Sequence, residues 1–348
     1  MTAAPRGQLI PPPPPHVARG IDVGPVLADV ERRLREHVAT SARFVEEAAR
    51  YLMEAGGKRF RPMLVALCSH LGDPWLEEGQ VYDPRIAEAG VVVELVHLAT
   101  LYHDDVIDEA PARRGTRSAN VRWDNTVAVL TGDYLFARAS ELSADLGVEV
   151  TRIMARTIAT LCEGQISEVQ GSRGALPPDV PPLDPTLDHY LDVVSKKTAS
   201  LIATSCRLGT LLSGCDTPQV EAATAYGWNL GMAFQLSDDI LDVASSPEQS
   251  GKTPGTDLRE GVRTLPVLYA LEDEPDGELA ALLDTDILTD DAVTRALRLL
   301  RSSPALHRAH DLAAAYAAAA KDVLVSFPPS AATTALGQLA DFTVVRTG

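Results

Sequence analysis

Three observations predict an all-α chain. Apolar residues recur every three or four positions from Asp22 over most of the length, which is the period of a helix face. Alternating strand-like runs rich in β-branched residues are nearly absent. The 348 residues are 45% hydrophobic, enough for a sizeable buried core.

Taken in order, the periodic segments place helices within 23–40, 42–54, 62–71, 84–108, 125–146, 149–170, 187–213 and 219–243, with several more after 264. Segment 84–108 is apolar nearly all round, so its helix is expected to be buried on most sides. Gly-, Pro- and Ser-rich stretches at 55–61, 171–185 and 245–261 read as loops between helices. Residues 1–20 contain five consecutive prolines and read as an extended, solvated tail. Residues 21–348 show no solenoid-length repeat and no linker, so one helical bundle domain is the simplest reading.

The net charge of −17 argues against a general nucleic-acid or anionic-membrane binder. Any anionic ligand must therefore meet a local basic cluster. Four cysteines without CxxC spacing read as reduced, mostly buried thiols. With no secretory signal pattern and no uninterrupted membrane-spanning run, a cytoplasmic protein without stable membrane insertion is expected.

Two acidic motifs carry the chemistry. In LYHDDVIDEA, Asp104 and Asp108 are four residues apart and share a helix face, with Asp105 about 100° aside. In FQLSDDILDVA, Asp238, Asp239 and Asp242 repeat that spacing inside a second apolar helix. Carboxylates in apolar surroundings are costly unless paired or bound to metal. Oxygen ligands without Cys or clustered His select hard cations, and Mg²⁺ commonly binds through one or two carboxylates plus substrate phosphates. A phosphate ester is thus the implied ligand. Lys58, Arg59 and Arg61 in GGKRFRP, with Arg113 and Arg114, supply local positive charge, and arginine forks suit phosphate.

GGKRFRP, HLATLYHDDVIDEAPARRG, AVLTGDYLFARAS, KKTASL and FQLSDDILDVA followed by GKTPGTDLREGVRTLP occur in one order between about 51 and 270. In these motifs the sequence resembles the trans-polyprenyl diphosphate synthases, especially actinobacterial long-chain members that make menaquinone side chains. The resemblance implies the isoprenoid synthase fold, an antiparallel helical bundle around a central metal and diphosphate cavity. It implies a homodimer, with 121–139 as a candidate interface. It also implies a prenyltransferase reaction that condenses isopentenyl diphosphate with an allylic diphosphate, using three Mg²⁺ ions per site.

Carried over by resemblance, Asp104, Asp105 and Asp108 form the first metal motif, and Asp104 and Asp108 are the direct ligands. Asp238 ligates a third ion, with Asp239 and Asp242 holding metal-bound water. Lys58, Arg61, His97 and Arg114 resemble the isopentenyl diphosphate pocket, and Arg113, Lys197 and Lys252 resemble allylic diphosphate contacts. Thr198 and Gln235 resemble the residues that stabilise the carbocation. His103 keeps a structural role. Ala99 and Thr100, small where short-chain members place an aromatic floor, lead to the expectation of a product of thirty carbons or more. GVRTLP departs from the pattern, with Arg263 where many members carry lysine. A short-chain synthase, a terpene cyclase, an HD-type metal phosphohydrolase and a non-catalytic subunit are the competing readings.

Overall fold

The computed structural model describes residues 21–72, 81–171, 186–245, 254–284 and 289–345. They are almost entirely helical, as expected, and group into two compact units. The first comprises the chain up to Ile158, Leu201–Gly227 and Leu324–Leu336. The second comprises Ala159–Ser200, Trp228–Val323 and the segment from Gly337.

In the first unit the chain forms α1 (Gly24–His37), α2 (Arg43–Glu54), α3 (Phe60–Ser69) and α4 (Pro84–Ile107). There follow a hairpin of β1 (Ala112–Arg113) and β2 (Thr116–Arg117), then α5 (Ala119–Arg122) and α6 (Asn125–Asp145). The chain continues into α7 (Val148–Gly171). Helix α4 is the centre of this unit and packs against α1, α3 and α6. Its start is set by Pro84 at the first turn and by Asp83, whose side chain accepts the Arg85 N–H at 2.9 Å. Its length and composition would suffice to cross a membrane, but 72% of its apolar window is buried in the protein. It is a core helix. Gly90 lets neighbours approach, because a Cβ there would lie 2.9 Å from Val30 of α1 and 3.4 Å from Pro62 of α3.

The second unit holds the end of α7, α8 (Leu187–Val194), a π-helical turn (Ser195–Ala199), and the C-terminal part of α10 (Thr217–Ala244). Helix α9 (Ser200–Leu212) follows the π turn and belongs almost wholly to the first unit. After α10 come α11 (Thr256–Arg259), α12 (Leu265–Asp273), α13 (Glu278–Leu283), α14 (Asp290–Ser302) and α15 (Pro304–Val323). The chain ends in α16 (Ala331–Val345). Ala309 and Ala313 of α15, one turn apart, pack with Tyr190, Leu236, Ile240 and Leu265. The alanine-rich C-terminal region therefore has a packing role, its short side chains letting α15 approach α10 and α12.

Three features add to or differ from the sequence reading. The segment 187–213 is helical as expected, but a π-helical turn (Ser195–Ala199) is inserted into it between α8 and α9. The six residues around Arg114 form a hairpin too short to leave an alternating pattern. Cys68 and Cys206 are buried but Cys162 is exposed, since it occupies the outer face of α7.

Candidate active site

The first unit assembles a basic pocket around the end of α2, the GGKRFR loop and α4. Gly56 and Gly57 have φ of 100° and 155°, backbone that a side chain rarely adopts. A Cβ on Gly57 would lie 2.7 Å from Arg59 Nη1 and 2.9 Å from Arg114 Nη1, so the glycine makes room for two guanidinium groups. Arg59 is 7% exposed and points inward. Its Nη1 donates to Glu94 at 2.9 Å, its Nη2 to the Met53 carbonyl at 3.1 Å, and its Nε to Glu31. Burial would pull the Arg59 pKa down, but Glu94 and Glu31 more than offset it.

Arg61 lies among the same groups, and its Nε is buried with no hydrogen-bond partner. Burial brings it down to about 10, with Glu94 opposing and Arg114 reinforcing the shift. His97, one turn after Glu94, is pushed well below the ordinary histidine value by burial and by the nearby Arg61, Arg114, Arg59 and Arg113 charges. Its ring is therefore neutral near pH 7. Lys58 is half-buried beside this group. The structure thus brings Arg61, His97 and Arg114 near one another.

The β1–β2 hairpin sends its two arginines to different places. Arg114 (φ 52°) and Gly115 (φ 75°) form its two-residue turn, and both lie in the left-handed region that such turns require. Arg114 Nη1 donates to the Leu52 carbonyl at 2.9 Å and to the Gly56 carbonyl, and its Nη2 lies 3.8 Å from Glu94. Arg113 Nε instead donates to Asp105 Oδ1 at 2.6 Å.

Asp105 is fully buried, and its Oδ2 has no hydrogen-bond partner. Burial raises its pKa, against the Arg113 charge and hydrogen bond. Asp104 is half-buried and Asp108, at the C-cap of α4, is exposed. Tyr102 and His103 turn away from this face. Tyr102 donates to the Ala48 carbonyl, and the His103 ring lies 3.1 Å from the Val129 carbonyl against α6. Ala99 is fully buried, whereas Thr100 is partly exposed.

In the second unit the π turn carries Lys197 and Thr198. Two glycines make room for it. A Cβ on Gly164 would lie 2.8 Å from Lys197 N, and one on Gly231 would lie 2.5 Å from Ala199 Cα. Inserted turns of this kind are frequent at functional sites. Lys197 donates to Glu168, and Thr198 donates to Gln235 Oε1 at 2.9 Å.

Gln235 Nε2 donates to Asp239 Oδ1 at 2.8 Å, and Tyr190 donates to Asp239 Oδ2. Burial lifts Asp239 to about 7 despite those two bonds, with the Asp238 and Asp242 charges adding to the rise. Asp242 accepts the Thr256 and Asp257 N–H groups at 3.2 and 3.3 Å, and Asp238 is half-buried. Lys252 lies outside the described residues.

The sequence reading missed Glu94, Tyr190 and Glu168. Glu94 had a signal, a lone carboxylate inside an apolar helix, since a buried charge demands a partner. Tyr190 and Glu168 had none.

Comparison with known proteins follows from this geometry. Residues 42–300 match the family described as Polyprenyl synthetase. Nonaprenyl diphosphate synthase of Mycobacterium tuberculosis is 43% identical over 346 residues, covering 96% of this chain and 99% of that one. Heptaprenyl diphosphate synthase component 2 of Geobacillus stearothermophilus is 39% identical, covering 90% and 93%. The crystal structure of a decaprenyl diphosphate synthase from Rhodobacter capsulatus superposes with a TM-score of 0.84 at 33% identity, covering 96% and 99%.

Proposed function

The chain belongs to the polyprenyl synthetase family, and we propose that it is a trans-polyprenyl diphosphate synthase that joins isopentenyl diphosphate head-to-tail to an allylic diphosphate, building a long all-trans chain. The observation that carries this reading is the basic pocket of the first unit, which offers a diphosphate a site that needs no metal. A terpene cyclase has no second diphosphate to bind, and a phosphohydrolase has no use for an acceptor alkene.

Lys58, Arg61 and Arg114 bind the isopentenyl diphosphate, and neutral His97 supplies a hydrogen bond without adding charge. Arg113, Lys197 and Lys252 hold the allylic diphosphate, with Lys197 exchanging Glu168 for phosphate. Thr198 and Gln235 present their dipoles to the allylic cation that forms as the C–O bond breaks. The alkene of isopentenyl diphosphate attacks that cation, and the released pyrophosphate takes the proton. Water must be kept out of the site, because it would quench the cation.

The donor set fits Mg²⁺, being carboxylates alone and including one raised to about 7 by burial beside two others. Asp104, Asp108 and Asp238 would hold three ions, which when bound neutralise the departing pyrophosphate. Among the described residues no group of three His, Cys, Asp or Glu side chains is gathered closely enough to hold a metal ion.

We also infer a homodimer through 121–139, where Val121, Val129 and Leu130 are exposed. A second reading, a subunit that needs a partner, is favoured by the Geobacillus relative's description as a component. One assay separates them all. The protein alone is incubated with Mg²⁺, labelled isopentenyl diphosphate and a farnesyl or geranylgeranyl primer, and the products are sized. Linear chains of thirty carbons or more support the long-chain synthase, shorter ones the short-chain alternative, cyclic hydrocarbon the cyclase, and no turnover the subunit. Light scattering on the same sample tests for two chains.

A further inference from the structure

We propose that Glu94 is the positioning residue of the isopentenyl diphosphate pocket: it acts through Arg59 and Arg114, fixing where the pocket's cations stand and how much positive charge they leave for a ligand. The proposal rests on the diphosphate-binding reading of that pocket.

Glu94 is 2% exposed, at the middle of α4, one turn before His97. A carboxylate there is costly unless paired. It faces two guanidinium groups, with Arg59 Nη1 at 2.9 Å and Arg114 Nη2 at 3.8 Å. Arg59 comes from the GGKRFR loop and Arg114 from the hairpin turn, so one carboxylate fastens both loops to the core helix. The two arginines sit at φ 50° and 52°, backbone unusual for a side-chain-bearing residue and held here by these contacts. Arg59 is also gripped by Glu31 of α1 and by the Met53 carbonyl. Its hydrogen bonds are thus spent inside the protein, and it is a brace rather than a ligand contact.

The charge count follows. Lys58, Arg59, Arg61 and Arg114 bring four positive charges and Glu31 and Glu94 bring two negative ones, so two positive charges remain for an ionised diphosphate. Glu94 also opposes the lowering of the buried Arg61 that burial and Arg114 cause. Without it the pocket would be a cluster of like charges whose members repel and splay.

The test replaces Glu94 with its isostere, Glu94→Gln, and measures isopentenyl diphosphate binding by calorimetry without Mg²⁺. Losing the carboxylate leaves three net positive charges instead of two, which alone favours the anion, but it also releases the Arg59 and Arg114 guanidinium groups from their places, and this larger effect weakens binding about tenfold. The KM for isopentenyl diphosphate rises by a similar factor, while kcat and the KM for the primer stay within about twofold. Glu94→Asp, which keeps the charge on a shorter arm, restores part of the affinity. Glu31→Gln, at the half-exposed end of the brace, moves the same KM in the same direction by about threefold and guards against a misfolded core variant.

Unchanged isopentenyl diphosphate affinity in both Gln variants overturns the proposal, as does an equal rise in both KM values, which is what simple destabilisation produces. Failure of the parent protein to bind isopentenyl diphosphate without metal overturns the pocket reading itself, and Glu94's role with it. That result is recognisable because it appears before any substitution is made.

Discussion

Asp239 should make the stability of the metal-free protein fall as pH rises. Its carboxyl is lifted from 3.8 to about 7 by burial, against hydrogen bonds from Tyr190 and Gln235. Between those two values the folded chain keeps a proton that the unfolded chain has released. The stabilisation is therefore complete below about pH 4 and is lost as pH rises through about 7. From about pH 5.5 to about pH 8.5 the loss is about 2 kcal/mol, at roughly 1.4 kcal/mol per unit of pH below the folded value.

Asp239→Asn removes this titration with little change in shape. Its Oδ1 still accepts from Gln235, and its amide can donate to the Tyr190 oxygen. Urea unfolding in EDTA, run on parent and variant at both pH values, isolates Asp239 together with its coupling to the Asp238 and Asp242 charges, because titrations remote from it cancel in the difference. Relative to the parent, the variant should gain about 2 kcal/mol at the higher pH compared with the lower. An equal difference at both pH values would refute the argument that burial dominates. A difference of opposite sign would show that the Tyr190 and Gln235 bonds win instead.

Two further outcomes are expected. Thr100→Phe, at a partly exposed position of α4, should shorten the products made with excess isopentenyl diphosphate; Ala99→Phe should do so too, at a packing cost of about 1–3 kcal/mol because Ala99 is fully buried. Unchanged chain length in both variants removes these residues from the product tunnel. Gly57→Ala places a methyl 2.7 Å from Arg59 Nη1 at a backbone φ of 155°, and should raise the KM for isopentenyl diphosphate about tenfold, a cost of about 1.4 kcal/mol; an unaltered KM would mean that the two guanidinium groups need not stand where they do.

The parts legible in the sequence are those whose signal is local. Helix periodicity placed α4, and its all-round apolarity marked it as buried before any contact was known. The acidic triads stood out because aspartates inside an apolar helix need partners. The π turn was not, because its cause lies elsewhere in the chain, in Gly164 and Gly231, which make room for Ser195–Ala199 from two other helices. Arg59 looked like one of three equivalent cations in GGKRFR. Only its contacts with Glu31 and Glu94 show that it points inward.

The hydrogen bonds of Asp105 and Asp239 give the middle aspartate of each motif a role of its own. A pair four residues apart already puts two carboxylates on one helix face. The residue next to the first points elsewhere, and in both motifs it is the buried one. Asp105 is held by Arg113, a residue assigned to the allylic diphosphate, and Asp239 is held by Gln235, assigned to the allylic cation. Each middle carboxylate therefore holds a side chain that the proposed mechanism places against substrate. A substitution such as Asp105→Asn should accordingly disturb Arg113 before it disturbs cation binding. On the proposed mechanism the doubled aspartate would join two tasks in adjacent residues, one toward the cation and one toward the protein.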